Sequence, residues 1–164
     1  DLDYVYDADP QQQARNLGRL IQRVAGSGAN TVFLQAFADP DGDGLVHELY
    51  FPNRWLPVRE DLFNRVAWQI ATRTSAGVYA WMPVLAFDLD KSLPRVEKID
   101  LKTGQTRVDP QQYQRLSPYS AVARDRIRAI YQDLASHAVF SGIIYHHDAV
   151  LAAAADARLD AMRA

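Results

Sequence analysis

The stretch that decides the fold is Asn30-Thr31-Val32-Phe33-Leu34-Gln35-Ala36-Phe37, an almost unbroken run of β-forming and apolar residues. A strand with one face in water alternates apolar and polar residues, whereas a strand buried on both faces is apolar nearly throughout. The run therefore predicts a strand buried on both faces, as in a parallel sheet.

Three further segments have strand character, and amphipathic helical patterns separate them. The additional strands are predicted at Leu2–Tyr6, Val78–Val84 and Gly142–Tyr145. Helices are predicted from Pro10 to about Gly26, from about Arg59 to Thr74, from about Ala121 to His137, and from Leu151 onward. A hairpin is predicted around Thr103-Gly104 in the connection after the third strand.

This fourfold alternation of strand and helix predicts one α/β domain over residues 1–164 with a parallel sheet. Two folds fit it: a (β/α) barrel of TIM type, of which the chain covers about the first four βα units, and a flavodoxin-like sheet. The long connections follow strands, which puts function at the carboxyl ends of the strands in either fold. No glycine-rich phosphate loop follows the first strand, which disfavours a nucleotide-binding domain.

Composition excludes several classes of protein. Lys and Arg number 18 and Asp and Glu 20, for a net charge of −2. Such a balance gives no strong field for nucleic acid or anionic lipid, and no nucleic-acid partner is expected. Apolar runs are too short for a membrane span. The absence of cysteine rules out disulfides and thiolate sites.

Two motifs resemble metal sites, but neither is complete. Asp39-Pro40-Asp41-Gly42-Asp43-Gly44 matches the first half of a calcium loop, yet its twelfth position is Tyr50 where a bidentate Glu is needed. His146 and His147 are adjacent on a strand and face opposite ways, so they do not form a zinc ligand pair. We therefore expect no metal and no cofactor, and a tight polar turn at residues 39–44.

His146-His147-Asp148 directly follows an apolar strand, where charged groups point into the site of a βα fold. The Asp148 carboxylate is suited to act as acid, base or nucleophile. It is equally suited to cap the following helix. The residues themselves leave both readings open.

Aromatic residues accompany the strand ends and the long connections. Mixed with Asp, Asn, Gln and Arg, they are typical of a sugar-binding cleft, in which rings stack on sugar C–H faces. Core packing is the alternative for each, and Trp81 fits either role. The aromatics are Phe37, Tyr50, Phe51, Trp55, Trp81, Phe87, Tyr113, Tyr119 and Tyr145.

Several stretches, in order along the whole chain, resemble the C-terminal glycoside-hydrolase domain of PgaB-type poly-β-1,6-N-acetyl-D-glucosamine N-deacetylases. They are Asp1–Asp7, Leu34–Gly44, Tyr50–Arg54, Phe63–Gln69, Tyr79–Leu85 and Arg115–Pro118. The resemblance implies a (β/α) barrel that binds and hydrolyses partially deacetylated poly-β-1,6-N-acetylglucosamine during modification and export of biofilm exopolysaccharide. It also implies a place in the Gram-negative envelope, in the periplasm or at the outer membrane. A separate N-terminal deacetylase domain in the full-length protein is implied as well, and its metal does not transfer to this chain.

The resemblance also implies site residues. The family's strand-four motif reads Phe-His-Asp-Asp-Ala and this chain reads Tyr145-His146-His147-Asp148-Ala149, so His147 replaces the first Asp and Asp148 matches the second. Asp148 and His147 are the implied catalytic residues. The implied substrate-binding residues are Tyr113, Trp81, His146, Asp3, Gln35 and Arg54.

The replacement at His147 bears directly on activity, because glycoside hydrolysis normally uses two carboxyl groups. Three outcomes are open: Asp148 takes over, His147 serves as an alternative acid/base, or cleavage is lost while sugar binding remains. The chain is also shorter than the ~250 residues of a complete barrel. The alternative function is therefore a non-catalytic polysaccharide-binding module.

Overall fold

The computed structural model describes residues 1–100, 103–108 and 114–149. The helix predicted from Leu151 onward and the tyrosine at position 113 lie outside the described residues. Helices α1, α2 and α3 span Pro10–Ser27, Phe63–Arg73 and Ala121–His137. Strands β1 to β7 span Thr31–Gln35, Phe37–Ala38, Glu48–Leu49, Gly77–Met82, Glu97–Ile99, Thr106–Val108 and Gly142–Tyr145. Two 3-10 helices lie at Leu2–Tyr4 and His147–Ala149. Among these described elements, no helix combines the length and apolar character that crossing a bilayer requires.

The central sheet contains β1, β4 and β7, all parallel, with β4 in the middle. Thr31 pairs with Gly77, and Tyr79 pairs with Gly142. Each connection between neighbouring strands carries a helix, as the α/β prediction requires. A flavodoxin-like sheet would instead place the first strand of the chain between the second and third. The observed order follows the chain and does not match that alternative.

The predicted first strand at Leu2–Tyr6 is wrong, because residues Leu2–Tyr4 form a 3-10 helix. The Asp1 side chain accepts a hydrogen bond from the Asp3 N–H, and the amides of Val5 and Tyr6 donate to the Leu2 carbonyl. Leu2 and Val5 are both buried, which is a spacing of three. A period of three matches the 3-10 helix, whereas a strand repeats every two residues. The described sheet therefore has three parallel strands where the sequence predicted four.

The remaining predicted elements are present, with shifts at their ends. The Asp9 side chain caps α1 before Pro10, and Gly28 ends it in the left-handed conformation with φ of 68°. Strands β5 and β6 form the predicted antiparallel hairpin. Helix α2 begins at Phe63 rather than near Arg59, because the Arg59 amide donates to Leu49 and extends the small sheet of β2 and β3.

The two faces of the central sheet differ in how they are covered. On one face Leu34, Val78, Ala80 and Met82 are buried in the core together with α2. The opposite face carries Phe33, Gln35, Tyr79, Trp81 and Ile144 side by side, as the strand register requires. Phe33 is 56% exposed on this second face. Both faces are thus apolar, but the helices cover only one of them within the described residues.

Candidate functional site

The carboxyl ends of the three parallel strands bring together residues that are far apart in the sequence. Gln35 ends β1, Trp81 lies one residue before the end of β4, and His146 and His147 follow β7. The His146 amide donates to the Met82 carbonyl at 2.8 Å, which continues the β4–β7 pairing beyond the last strand residue. We call Gln35, Trp81, His146 and His147 the strand-end site.

A row of rings crosses this site. The Phe37 and Trp81 rings lie 5.8 Å apart between centroids at 66°. Trp81 lies 5.7 Å from His146, and His146 lies 4.2 Å from His147. The expectation that the two histidines face opposite ways is therefore wrong, because β7 ends at Tyr145 and His147 begins a 3-10 helix. Phe37 is buried at one end of the row, Trp81 and His146 are half-buried, and His147 is exposed. The rings are tilted relative to one another, and their accessibility to solvent increases from Phe37 to His147.

Burial lowers the pKa of His146 below its ordinary value, and the neighbouring His147 acts in the same direction. The carboxylates of Asp148 and Asp39 oppose this shift. The structure therefore favours the neutral imidazole at His146, which accepts hydrogen bonds as well as donating them.

Asp3 lies beside the strand-end site and binds several parts of it. Its carboxylate accepts the Tyr50 hydroxyl at 2.6 Å and the Gln35 amide at 3.3 Å. The backbone N–H of Asp39 donates to the same carboxylate at 3.0 Å, and the Arg59 guanidinium lies 4.0 Å away. Asp3 thus joins the N-terminal 3-10 helix to the end of β1 and to the loop after β2.

The Asp148 carboxylate is buried and bound by backbone amides. Its Oδ2 accepts hydrogen bonds from Leu85 at 2.6 Å and from Ala86 at 2.7 Å. The Val84 amide donates to both carboxylate oxygens, at 2.9 and 3.0 Å. The residue is 1% exposed. Its position in the sequence suits an N-cap, but among the described residues its acceptors serve the segment after β4.

Asp39 is a candidate site residue that the sequence analysis assigned only to a polar turn. It directly follows β2, and its side chain is half-buried. Burial raises the pKa of the Asp39 carboxyl; the Gly44 amide opposes this, while Asp43 and Asp41 add to it. The negative charge of Asp39 also acts to raise the pKa of His146, so Asp39 lies on the same side of the molecule as the strand-end site. The available signal was its position after the apolar pair Phe37-Ala38.

Arg54 is not brought to the strand-end site. Its guanidinium lies 3.0 Å from the Asp133 carboxylate and donates to the Ala129 carbonyl, both on α3. Tyr113 lies outside the described residues. Of the residues implied by the resemblance, the structure therefore gathers Asp3, Gln35, Trp81, His146, His147 and Asp148.

The loop at residues 39–44 is a tight turn, with φ of 71° at Gly42 and 76° at Gly44. Asp41, Asp43 and His47 are all exposed there, and their ligand atoms lie within 4.8 Å of one another. Exposed acidic groups often converge without an ion, and His47 also pairs with Asp88 at 3.1 Å. We assign no metal to this turn.

The comparison with known families decides where the chain belongs. The family model of hypothetical glycosyl hydrolase family 13, GHL13, matches residues 1–164. The chain belongs to this family. Together with the relatives described next, this match confirms the resemblance found from the sequence motifs.

Individual relatives agree with the family. The chain is 52% identical over 164 residues to poly-beta-1,6-N-acetyl-D-glucosamine N-deacetylase from Escherichia coli K12, and equally to that from Escherichia coli O157:H7. It is fully covered in both comparisons but spans only 24% of each relative's length. The solved PgaB (BpsB) glycoside hydrolase domain from Bordetella bronchiseptica is 49% identical, with a TM-score of 0.86. That match covers 99% of this chain and 47% of the Bordetella chain.

Proposed function

We propose that the chain forms one side of a (β/α) barrel of TIM type, as the first part of a glycoside-hydrolase-like domain. Three observations support this. The parallel strands follow chain order, none of the described helices covers the apolar face with Phe33 and Tyr79, and the similar Bordetella domain is about twice as long. In a barrel this face turns inward and is filled by side chains of the other strands.

Within that fold, the strand-end site binds partially deacetylated poly-β-1,6-N-acetylglucosamine. The observation that carries this proposal is the row of rings from Trp81 through His146 to His147 at the carboxyl ends of the strands. Rings of this kind stack on the C–H faces of sugars, while nearby amide and carboxyl groups bind hydroxyls. The substrate class follows from the name of the E. coli relatives and from the hydrolase-domain neighbour.

Binding is tested by calorimetric titration of the chain with β-1,6-linked glucosamine oligomers. Trp81→Ala removes the ring at the centre of the row, and we expect it to weaken affinity at least tenfold, or about 1.4 kcal/mol. Trp68→Ala is the matched control, because Trp68 is 60% exposed on α2. Equal affinity of both variants and the parent chain contradicts the proposed site.

Hydrolysis of the same polymer is the activity proposed for this site. The reaction requires an acid and either a base or a nucleophile. Half-buried Asp39, with its raised pKa, is suited to be the acid, and exposed His147 is suited to be the base. Asp148, which the resemblance implies to be catalytic, is less suited to be the acid or the nucleophile, because its oxygens already accept hydrogen bonds from three backbone amides.

A non-catalytic binding module is the second candidate. It is favoured by one observation, the imidazole of His147 at the place where the family motif has an Asp. Turnover of the oligomer by the full-length protein, followed by release of reducing ends, distinguishes the two. Strong turnover that Asp39→Asn abolishes supports the hydrolase. Weak turnover that His147→Asp raises greatly supports the binding module.

The setting of this function is also a proposal. We place the protein in the Gram-negative cell envelope, in the periplasm or at the outer membrane, in biofilm exopolysaccharide modification and export. The chain spans about a quarter of relatives named as N-deacetylases. A deacetylase domain elsewhere in the full-length protein is accordingly a proposed partner that would supply the deacetylated polymer.

A further inference from the structure

We infer that Asp148 is a positioning residue. Through backbone hydrogen bonds it holds the segment after β4, which in turn binds the loop after β2 and the segment before α3, and its carboxylate does not itself touch the sugar. The inference rests on the proposed function for the identity of the ligand. The positioning role itself is argued from the hydrogen bonds of the Asp148 carboxylate and of the segment that it binds.

The first step is that backbone hydrogen bonds already occupy the Asp148 carboxylate. Three consecutive amides, those of Val84, Leu85 and Ala86, donate to it at 2.6 to 3.0 Å. The side chain is fully buried. To protonate a sugar oxygen or to attack a sugar carbon, the carboxyl would have to turn away and leave these amides unpaired in the interior. Buried donors without acceptors are rare because they are costly.

The second step is that residues 84–86 connect two other loops. The Val46 amide, in the loop after β2, donates to the Ala86 carbonyl at 2.9 Å. The Leu116 amide, in the segment before α3, donates to the Leu85 carbonyl at 2.9 Å. One buried carboxylate thus fixes a segment whose carbonyls hold the loops that follow β2 and precede α3.

The third step concerns the histidines. The His146 backbone is fixed by the hydrogen bond that its N–H donates to the Met82 carbonyl, and Asp148 is fixed by the N–H groups of residues 84–86. His147 lies between these two anchors, so the backbone on both sides of it is held. The placement of the exposed imidazole in the site therefore depends on Asp148, although the imidazole and not the carboxylate faces solvent.

The experiment compares the full chain with Asp148→Asn by amide hydrogen exchange and by titration with a β-1,6-linked glucosamine oligomer. Asparagine keeps the size of the side chain but offers one acceptor oxygen and an amide donor. We expect exchange at least tenfold faster at Val84, Leu85, Ala86, Val46 and Leu116, and oligomer affinity at least tenfold weaker. Asp125→Asn is the matched control, because Asp125 is exposed on α3; it should change neither quantity.

A measurement on the unsubstituted chain covers the case in which Asp148→Asn does not fold. The carboxyl carbon resonances of the aspartates and the ring resonances of the histidines are followed by NMR during the same titration. A positioning role predicts that the His147 ring responds and that the Asp148 carboxyl does not.

Four results decide between the ideas. Unchanged exchange at residues 84–86 in Asp148→Asn, or a sugar-dependent shift of the Asp148 carboxyl larger than that of His147, overturns the positioning role. Loss of turnover by about 100-fold or more with unchanged affinity, the range typical of a lost acid or base, also overturns it. Failure of the unsubstituted chain to bind any oligomer contradicts the proposed function instead, and the exchange comparison then still decides whether Asp148 holds the loops.

Discussion

Replacing Gly142 with alanine probes the close approach of β7 to β4 on the sheet face that carries Phe33 and Tyr79, which the described helices do not cover. A Cβ atom built on Gly142 lies 2.8 Å from Cε1 and 3.0 Å from Cδ1 of Tyr79. The Tyr79 ring must therefore move, and it is in edge contact with Phe33 at 6.1 Å between centroids. Gly142 has no positive φ that alanine would strain, so the effect is one of packing.

The magnitude follows from two opposing contributions. Forcing a methyl into a packed contact costs about 1–3 kcal/mol, and disturbing an aromatic pair costs about 0.5–1.5 kcal/mol. Replacing glycine by alanine stabilises the folded state by about 0.5–1 kcal/mol, because alanine has less backbone freedom to lose on folding. We expect the free energy of unfolding of Gly142→Ala to fall by about 0.5–4 kcal/mol.

Gly18→Ala is the matched control for urea unfolding followed by circular dichroism. Gly18 lies inside α1, and a Cβ atom there meets nothing within 4 Å. The same substitution should therefore raise stability by up to about 1 kcal/mol. In a Tyr79→Ala background the cost of Gly142→Ala should nearly vanish. A Gly142→Ala variant that is as stable as Gly18→Ala would refute the reasoning.

Three further predictions concern the surroundings of the site. Tyr50→Phe removes the hydroxyl that donates to Asp3 at 2.6 Å, and it should lower the free energy of unfolding by about 1.5–3 kcal/mol in urea melts; an unchanged midpoint would contradict this. The lowered pKa of His146 means that the unfolded chain binds its proton more readily, so this group's contribution to stability should be lost as the pH falls below about 6.5. Thermal melts from about pH 5 to 8 should show that dependence and its flattening in His146→Gln, and identical slopes would argue against it. Arg54→Ala removes an exposed ion pair with Asp133, so it should lower the free energy of unfolding by at most about 1 kcal/mol and leave oligomer affinity unchanged. A tenfold loss of affinity would show that Arg54 does bind the sugar.

Much of the fold could be predicted from local signals. The predicted starts of α1 at Pro10 and of α3 at Ala121 are confirmed, and the side chains of Asp9 and Ser120 cap these helices by accepting backbone hydrogen bonds. The unbroken apolar run around Phe33 correctly indicated a parallel strand, but its predicted burial on both faces is not seen within the described residues, where Phe33 is 56% exposed. The strand predicted at Leu2–Tyr6 failed because five residues are too few to distinguish a period of two from a period of three.

The site was predictable as a region but not in its details. The position of His146 and His147 after β7 predicted that they lie at the carboxyl ends of the strands, where the structure also places Gln35 and Trp81. The burial and hydrogen-bond partners of each carboxyl group were not predictable, because these partners lie far away in the sequence. Asp148 meets backbone amides 62 to 64 residues away, and Asp3 meets Tyr50 47 residues away. Asp39 was overlooked because its neighbours Asp41 and Asp43 suggested a polar turn.

The most direct test of the central claim is an NMR titration that follows the indole N–H resonances of the chain's three tryptophans. Trp81 lies in the row of rings at the strand-end site, Trp68 is exposed on α2, and Trp55 lies in the loop before α2. A partially deacetylated β-1,6-linked glucosamine oligomer should shift the Trp81 resonance in a saturable way and leave the Trp68 and Trp55 resonances in place. A saturable shift confined to Trp68 or Trp55, or no shift at any of the three, would contradict the account.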